Sequence, residues 1–312
     1  MKTKLVLAVV SSFILQHSAF AQGALTPPGA PAPMMKSLAQ IEPRIPISSV
    51  PFTIFTSGSY YFTTNLTVSS GNAITIANNG VTLDLGGWTL SSTAASATGY
   101  GILLNGSLSD VTVFNGHIRG GVTNNGSNVY GGSGFANGIF YFGNAPANTH
   151  VRLISVSGCL SHGINLGAGN TTLVEDCTVQ SVGGIGIDAS VIKSSVATGC
   201  GASGIYGDDI FDSRGESASS IGGNSGLSAS RSAHNCNGKI AGNGDGLTAK
   251  TAQNCYGSNA AGGYGLFVTD IAIGCSGYSF SGTGLSAFLA NTCRGTTTSG
   301  VALAVTHNVN SF

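Results

Sequence analysis

The sequence predicts an all-β protein whose chain winds as a solenoid of about ten or more coils. A glycine followed by an aliphatic residue recurs along the chain, alternate positions after it are apolar, and cysteines recur at a similar interval. After one longer first interval, the dipeptide returns every 16 to 25 residues. Such a period is the signature of stacked structural repeats. The pairs are Gly101-Ile102, Gly138-Ile139, Gly163-Ile164, Gly186-Ile187, Gly204-Ile205, Gly226-Leu227, Gly246-Leu247, Gly265-Leu266, Gly284-Leu285 and Gly300-Val301.

The residues that follow each glycine predict a strand with one buried side. The first is always aliphatic and the third is apolar or small, whereas the one between them is mixed, as at Asn165, Asp188 and Tyr206. Alternation with period two places the aliphatic residues on one side of a strand. Ten copies at this spacing stack as parallel strands about 4.8 Å apart. The inner residues shrink toward the C-terminus together with the repeat length, which predicts a thinner core there.

Strand patterns precede the first repeat. Residues 53–55, 60–62, 73–76, 81–85 and 111–114 are β-branched or aromatic runs bounded by Gly, Asn and Ser. Residues 120–137, inside the long first interval, are rich in Gly and Asn and predict an overhanging loop.

Seven cysteines predict a second stacked position. Five of the six intervals between them are 18 to 23 residues, and Ser213 fills the gap in the sixth. We expect one equivalent position per repeat, occupied by buried thiols that act as small hydrophobes. A disulfide ladder is the alternative in a secreted chain, although an odd count leaves at least one thiol free. The cysteines are Cys159, Cys177, Cys200, Cys236, Cys255, Cys275 and Cys293.

The N-terminus predicts export. Residues 1–21 combine a basic start, an apolar run and a small-x-small site that ends at Ala21, as in a cleaved secretory signal. No later apolar run is long enough for a transmembrane segment. The mature protein is then secreted, periplasmic or on the cell surface. Residues 22–51 form a Pro-rich leader, in which residues 34–41 either make a short helix that caps the first coil or belong to a disordered linker. Residues 52–312 form the solenoid domain.

The charge of the chain excludes one class of partner. Twelve basic and twelve acidic residues give a formal net charge of zero, and the basic residues are not clustered. Nucleic acid binding needs clustered Lys and Arg to displace counterions, so no nucleic acid partner is expected.

Taken together, the coil period, the Gly-Ile strand starts, the stacked Cys and Asn positions and runs such as Ile74-Thr75-Ile76 resemble the right-handed parallel β-helix proteins of the pectin-lyase-like superfamily. The resemblance covers roughly residues 50–312, and it extends to secreted bacterial β-helix proteins without an assigned activity. It implies a right-handed parallel β-helix and an outward sheet that binds or cleaves acidic polysaccharide.

The best candidate site is the acidic run from Gly207 to Glu216. It contains Asp208, Asp209 and Asp212, and Asp188 lies one coil earlier in the same outward column as Tyr206. Neighbouring carboxylates would divide acid and base roles; equally, they would hold Ca²⁺ as hard oxygen ligands. Solvated turn residues are the structural alternative. Apart from Ca²⁺, no cofactor and no resident metal site is expected.

The Asp208-Asp209 pair is similar to the Asp-Asp pair of polygalacturonases. The third acid, the Gly-His-Gly and the Arg-x-Lys of that family have no counterpart here, so the resemblance does not extend to that activity. Tyr206 and Phe140 offer aromatic faces for sugar rings, and Arg214 and Arg231 offer cations for sugar carboxylates. His117 and Arg119 either line a groove or end a strand.

These observations predict a secreted β-helix protein that presents an elongated surface to polysaccharide and has no demonstrable catalysis. One alternative is a polysaccharide lyase or glycoside hydrolase that uses Asp188, Asp208, Asp209 and Asp212. The other is a structural envelope or surface component that oligomerises through its coil ends.

Overall fold

The computed structural model describes residues 42–312, which form strands and turns and contain no helix. Almost all strand pairs are parallel, and the chain makes about 12 turns of a β-solenoid. The predicted fold class is therefore confirmed. The predicted signal peptide and the capping helix at residues 34–41 lie outside the described residues. Strand β1 (Ile45–Ile47) lies within the segment predicted as leader. It nevertheless pairs in parallel with the strand at Gly58–Phe62.

The strands of the first coils include those that the sequence predicts. They are β2 (Phe52–Ile54), β3 (Gly58–Phe62), β4 (Leu66–Val68), β5 (Ile74–Ile76), β6 (Val81–Asp84), β7 (Thr89–Ser92), β8 (Tyr100–Asn105), β9 (Ser109–Arg119), β10 (Gly121–Asn124), β11 (Tyr130–Ser133), β12 (Asn137–Phe142) and β13 (Ala147–Cys159). The later coils contain β14 (Ile164–Gly167), β15 (Thr172–Glu175), β16 (Thr178–Val182), β17 (Ile187–Lys193), β18 (Val196–Cys200), β19 (Ile205–Phe211), β20 (Arg214–Ser217), β21 (Ser225–His234), β22 (Asn237–Ile240), β23 (Asp245–Gln253), β24 (Tyr256–Asn259), β25 (Leu266–Ile273), β26 (Ser276–Ser279), β27 (Thr283–Asn291), β28 (Arg294–Thr297) and β29 (Val301–Val309).

Each coil presents three faces. Face 1 carries the predicted aliphatic column, in which every residue is the direct parallel partner of the next. The column has twelve rungs: Phe52, Ile74, Ile102, Ile139, Ile164, Ile187, Ile205, Leu227, Leu247, Leu266, Leu285 and Leu303. From Ile74 to Leu285 these side chains are fully buried, so the dry interior runs through the described coils.

Faces 2 and 3 follow face 1 in each coil, and their inner residues become smaller along the chain. On face 2 the inner column changes from Leu83, Val113 and Val151 to Ala233 and the alanines that follow it. On face 3 it changes through Ile118, Val156, Val179 and Ala197 to a run of glycines at Gly215, Gly238, Gly257, Gly277 and Gly295. The predicted thinning of the core is therefore confirmed.

The glycines are needed because the start of face 1 lies directly against the inner residue of face 3. A Cβ on Gly163 would lie 2.4 Å from a methyl group of Val179, across the core. Where face 3 has glycine, the backbones approach further: a Cβ on Gly257 would lie 2.0 Å from the carbonyl oxygen of Gly265. Such contacts exclude any side chain at these positions.

The predicted tenth repeat, Gly300-Val301, is wrong by two residues. The partner of Leu285 is Leu303, so Ala302 stands where the rungs from Ile102 to Leu285 have glycine, and Val301 is exposed. If the last rung began at Gly300-Val301, the coil before it would contain fewer residues than any other coil. The coil from Leu285 to Leu303 has about the same number of residues as its neighbours. Ala302 is exposed, and its methyl group therefore has room.

The cysteines occupy two columns, and the prediction of one equivalent position is wrong. Cys159 and Cys200 lie on face 3, aligned with Val182. The other five lie at the corner between faces 2 and 3, in a column with serines that includes the predicted Ser213: Cys177, Ser195, Ser213, Cys236, Cys255, Cys275, Cys293 and Ser311. Both columns advance by one coil per step, which is why spacing alone did not separate them.

The corner column is held by side-chain hydrogen bonds as well as by burial. The Cys255 thiol donates to the carbonyl of Gln253 at 3.2 Å, and the Ser213 hydroxyl makes the same bond to Phe211 at 2.7 Å. The residue before each member has a left-handed backbone, as at Asp212 (φ 49°). All seven thiols are free and buried, and burial raises the pKa of Cys159 and Cys200 to about 12.

The predicted loop at 120–137 contains an antiparallel hairpin, β10–β11. Its tip reaches over the following coils, where Tyr130 donates to the carbonyl of Gly199 at 2.8 Å and Asn128 donates to that of Gly201 at 3.2 Å. The hairpin therefore covers the corner between faces 3 and 1.

Replacing Gly257 by alanine should lower the free energy of unfolding by more than about 3 kcal/mol, because the new methyl group overlaps a backbone carbonyl. Gly222→Ala is the matched control, since only one atom lies within 4 Å of its added Cβ, at 3.9 Å, and it should stay within about 0.5 kcal/mol. Denaturant unfolding followed by circular dichroism measures both. Equal losses in the two variants would contradict the backbone contact.

The native protein should resist thiol alkylation, because all seven thiols are buried and inaccessible to the reagent. Mass spectrometry after brief exposure to iodoacetamide should show no adduct in the folded protein and seven adducts after unfolding in denaturant without reductant. Fewer than seven adducts in the unfolded, unreduced protein would indicate disulfides and contradict this account.

Candidate functional site

The candidate site lies where face 1 meets face 2, in the coils that contain β14, β17, β19 and β21. We call it the acidic corner and define it by Asp188, Asp208, Asp209 and Arg231. Asp188 is an outward residue of face 1, with Asn165 on the rung before it and Tyr206 on the rung after it. Asp208 and Asp209 follow Tyr206 along β19 as the chain turns onto face 2. Parallel pairing therefore brings together acids that are 20 residues apart in sequence.

Asp188 is the least satisfied group of this corner. Its Oδ1 is buried without a hydrogen-bond partner among the described residues, and so is Oδ1 of Asn165 on the neighbouring rung. Burial raises the pKa of Asp188 to about 6, and the charge of Asp208 adds to the effect. Two unpartnered acceptors on adjacent rungs are costly for the protein alone and can be satisfied by donors from a ligand.

Asp208 and Asp209 are held by several donors. Asp208 accepts from the backbone N–H of Gly169 at 2.7 Å and from the Ser230 hydroxyl at 2.6 Å. Asp209 accepts from the Ser232 hydroxyl and from Arg231, both at 2.7 Å. Arg231 approaches Asp208 at 4.0 Å as well, so one guanidinium faces both acids. These bonds keep both carboxylates oriented and leave Asp188 as the adaptable member of the site.

A recess of about 510 Å³ opens beside the corner. Its lining combines the aliphatic side chains of Leu173 and Val191 with polar groups of the turn at 170–172, with Ser190, and with the cations Lys193 and Arg231. Ser190 anchors the turn, since its hydroxyl accepts from the backbone N–H of Asn170 at 2.7 Å. The recess therefore offers hydroxyl and cationic groups next to the two acids.

The predicted aromatic residues differ in what they present. Tyr206 is 40 % exposed, and no ring or hydrogen-bond partner contacts its side chain within residues 42–312. Phe140 lies two rungs before Asp188 and is stacked between Tyr100 and His162, with ring centroids 5.5 and 5.8 Å away. Its faces are thus covered by protein, and only Tyr206 offers a free ring beside the acids.

Two predicted residues lie elsewhere. The acidic run wraps around face 2, so Asp212 lies at the next corner, where it accepts from Asn235 at 3.0 Å. Arg214 lies on face 3 and pairs with Glu216. The structure does not bring either residue to the acidic corner. Conversely, Asn165 and Ser190 belong to the site without having been singled out; Asn165 already stood in the predicted outward column.

No cluster of three or more His, Cys, Asp or Glu side chains in residues 42–312 is arranged to hold a metal ion. Ca²⁺ at the acidic corner therefore stays a prediction. In the same part of the chain, no helix has the length and apolar character to cross a membrane.

No protein-family model matches the chain, and no curated protein matches it. Among solved structures, it is similar to the tailspike protein of Dettilon (gp208), with 12 % identity and a TM-score of 0.28. The match covers 84 % of this chain and 61 % of the tailspike chain, so less than two thirds of that protein is spanned. A likeness this distant says nothing about function.

Ionisation of Asp188 should destabilise the fold. Because its pKa is raised in the folded protein, the stabilising contribution of the protonated form is complete below about pH 4 and is lost as pH rises through about 6. Asp188→Asn mimics the protonated acid, so its advantage in free energy of unfolding over the wild type should grow between pH 4 and 8, by up to about 3 kcal/mol. Urea unfolding at each pH measures this, and a pH-independent difference would refute it.

Proposed function

We propose that the protein binds polysaccharide along the outer surface of face 1, centred on Tyr206 and the acidic corner. The observation that carries the proposal is the pair of buried, unpartnered oxygens on Asn165 and Asp188, next to an exposed aromatic ring. Sugars present hydroxyl donors on a ring with apolar faces, which is the combination that such a surface satisfies.

The surface continues beyond Tyr206 with hydroxyl groups. Ser228 and Thr248 occupy the next two rungs of the outward column, and Thr248 donates to Ser228 at 2.9 Å. Similar polar positions recur about every 4.8 Å along the coil axis. An extended chain of sugars laid along this axis meets a polar group on each of the rungs from Asn165 to Thr248.

Charge favours an acidic sugar in the recess beside the corner. Lys193 is exposed there, and Arg231 also lines the recess, although it pairs with Asp209. A sugar carboxylate in the recess would gain charge-assisted hydrogen bonds from these two side chains.

A second function, glycoside hydrolysis, is favoured by one observation. Asp188 has a raised pKa and lies close to Asp208, which accepts two hydrogen bonds and faces Arg231. Two acids whose surroundings differ in this way can serve as general acid and as base or nucleophile. In this hypothesis Asp188 donates the proton to the leaving oxygen.

Two further proposals complete this function. Residues 1–21 direct the chain to secretion, where polysaccharide is the accessible ligand. We also propose that the coil belongs to the pectin-lyase-like superfamily, on the basis of its three parallel faces and the inner stacks of aliphatic residues.

Tyr206→Ala should weaken binding to a polyuronate roughly tenfold or more, because it removes the free aromatic platform. Tyr256→Ala is the matched control: this tyrosine is equally exposed, at 40 %, but lies on face 3. Affinity electrophoresis in gels with polyuronate or neutral glycan measures retardation of each variant.

Loss of retardation in both variants, or in neither, would contradict binding on face 1. The same incubations report on hydrolysis. New reducing ends that disappear in Asp188→Asn would establish the second function, whereas binding without product supports a binding protein.

A further inference from the structure

A second recess, lined mainly by polar side chains, lies on the outer surface of face 3 in the early coils. It has a volume of about 190 Å³ and is lined by Thr89, His117, Arg119, Ser155 and Ser157. Alternation along β9 turns His117 and Arg119 outward while Ile118 between them is buried. We call this the basic recess. It lies on a different face from the acidic corner.

The strand register arranges the polar groups as a grid. His117 is the parallel partner of Ser155 on one side and of Thr89 on the other, and Arg119 is the partner of Ser157. Neighbouring rungs are about 4.8 Å apart, and alternate residues of a strand about 6.6 Å. The side chains of His117, Arg119, Ser155 and Ser157 therefore stand at the corners of a small rectangle and can converge on one bound group.

Arg119 differs from most other cations of the protein in its lack of a partner. Arg214, Arg231 and Lys250 each face a carboxylate, and Arg152 covers the ring of Phe114. Within residues 42–312, Arg119 has no such partner in an ion pair or a cation–π contact. Its charge is thus available to a ligand.

The surroundings of Arg119 contain no competing acid on this surface. The outward residues on the adjoining rungs, such as Ser91, Thr178 and Gln180, are uncharged. The first outward acid on face 3 is Glu216, several rungs further along, and Arg214 already pairs with it. An anion that approaches the basic recess therefore meets one full positive charge and no negative one.

From this geometry we propose that the basic recess binds a tetrahedral oxyanion, either sulfate or phosphate. Arg119 supplies charge and a fork of N–H donors, the hydroxyls of Ser155 and Ser157 donate from the neighbouring rung, and His117 adds a ring N–H. A tetrahedral group has four oxygens and can accept from donors on all sides of the rectangle. The volume admits one such group, either free or carried at the surface of a larger molecule.

Isothermal titration of the full chain with inorganic sulfate and with inorganic phosphate, at low and constant ionic strength, tests the site. Arg119→Gln should weaken affinity at least tenfold, because a charge-assisted contact is lost. Arg294→Gln is the matched control, since Arg294 is an exposed arginine on the same outer surface. It should change affinity less than twofold. Near-ultraviolet circular dichroism confirms that each variant is folded.

Equal weakening in the two variants would show diffuse attraction and overturn the site, and so would absence of binding to both anions in the wild type. Ser157→Ala should weaken binding by a smaller factor than Arg119→Gln; no effect of either substitution also overturns it. Tyr206→Ala should leave oxyanion binding unchanged, which keeps this result separate from the proposed function of face 1.

A second set of titrations identifies the source of the anion. Dextran sulfate fragments are compared with unsulfated dextran and with inorganic sulfate. Tighter binding of the sulfated fragments, lost in Arg119→Gln, assigns the site to a sulfate ester on a glycan. Binding of inorganic phosphate or sulfate at equal or higher affinity assigns it to the free ion.

Discussion

Close contact between the glycine that begins face 1 and the inner residue of face 3 is the constraint on which the rest of the structure depends. From Ile102 to Leu285, each rung of face 1 is preceded by a glycine because the inner residue of face 3 lies against it. Gly186 faces the Ala197 methyl group, and further along Gly246 meets the backbone of Ser258. As the inner residue of face 3 shrinks from Ile118 to glycine, the two backbones close on each other. In the coils from Gly101 to Gly284, this contact sets the separation of faces 1 and 3 and the place where each face 1 strand begins.

A fixed strand start determines which outward side chains become neighbours. Because a one-residue slip would move every side chain to the opposite side, the buried aliphatic column locks the register. Asn165, Asp188 and Tyr206 are consequently stacked at one spacing, and so are the groups of the basic recess on face 3. The scaffold can therefore hold polar groups that are poorly satisfied, such as Oδ1 of Asp188, since the core keeps them in place.

The sequence was sufficient to predict face 1 but not face 3. Face 1 can be recognised in the sequence because Ile or Leu follows glycine in most repeats and the next residue but one is apolar or small. In the later coils, face 3 has glycine at its inner position, so its strands carry no hydrophobic alternation. The sequence pattern that corresponds to face 3 is Cys-x-Gly. In Cys255-Tyr256-Gly257, for example, the glycine is the inner residue of face 3. This glycine is required by a short contact between backbones, so the pattern does not indicate a buried side chain.

The candidate site was also predicted only in part, because the sequence indicates which residues share a column but not where the chain turns a corner. Asp188 and Asp208 could be brought together from column and coil number alone, as parallel stacking requires. Asp212 was grouped with them because it is near in sequence, but the chain crosses the whole of face 2 between Asp209 and Asp212. Asp212 has a left-handed backbone conformation, which starts the next corner. The presence of an Asp in the sequence does not by itself predict this conformation.

The central claim, one rung per repeat at constant spacing, is tested most directly by distances between spin labels on the outer surface of face 1. Labels introduced by Thr75→Cys with Ser228→Cys span six rungs, and those by Thr75→Cys with Ser286→Cys span nine. Double electron–electron resonance should give about 29 and about 43 Å, a difference of about 14 Å, since rungs are about 4.8 Å apart. Distances that do not increase in this ratio would contradict the stacked column.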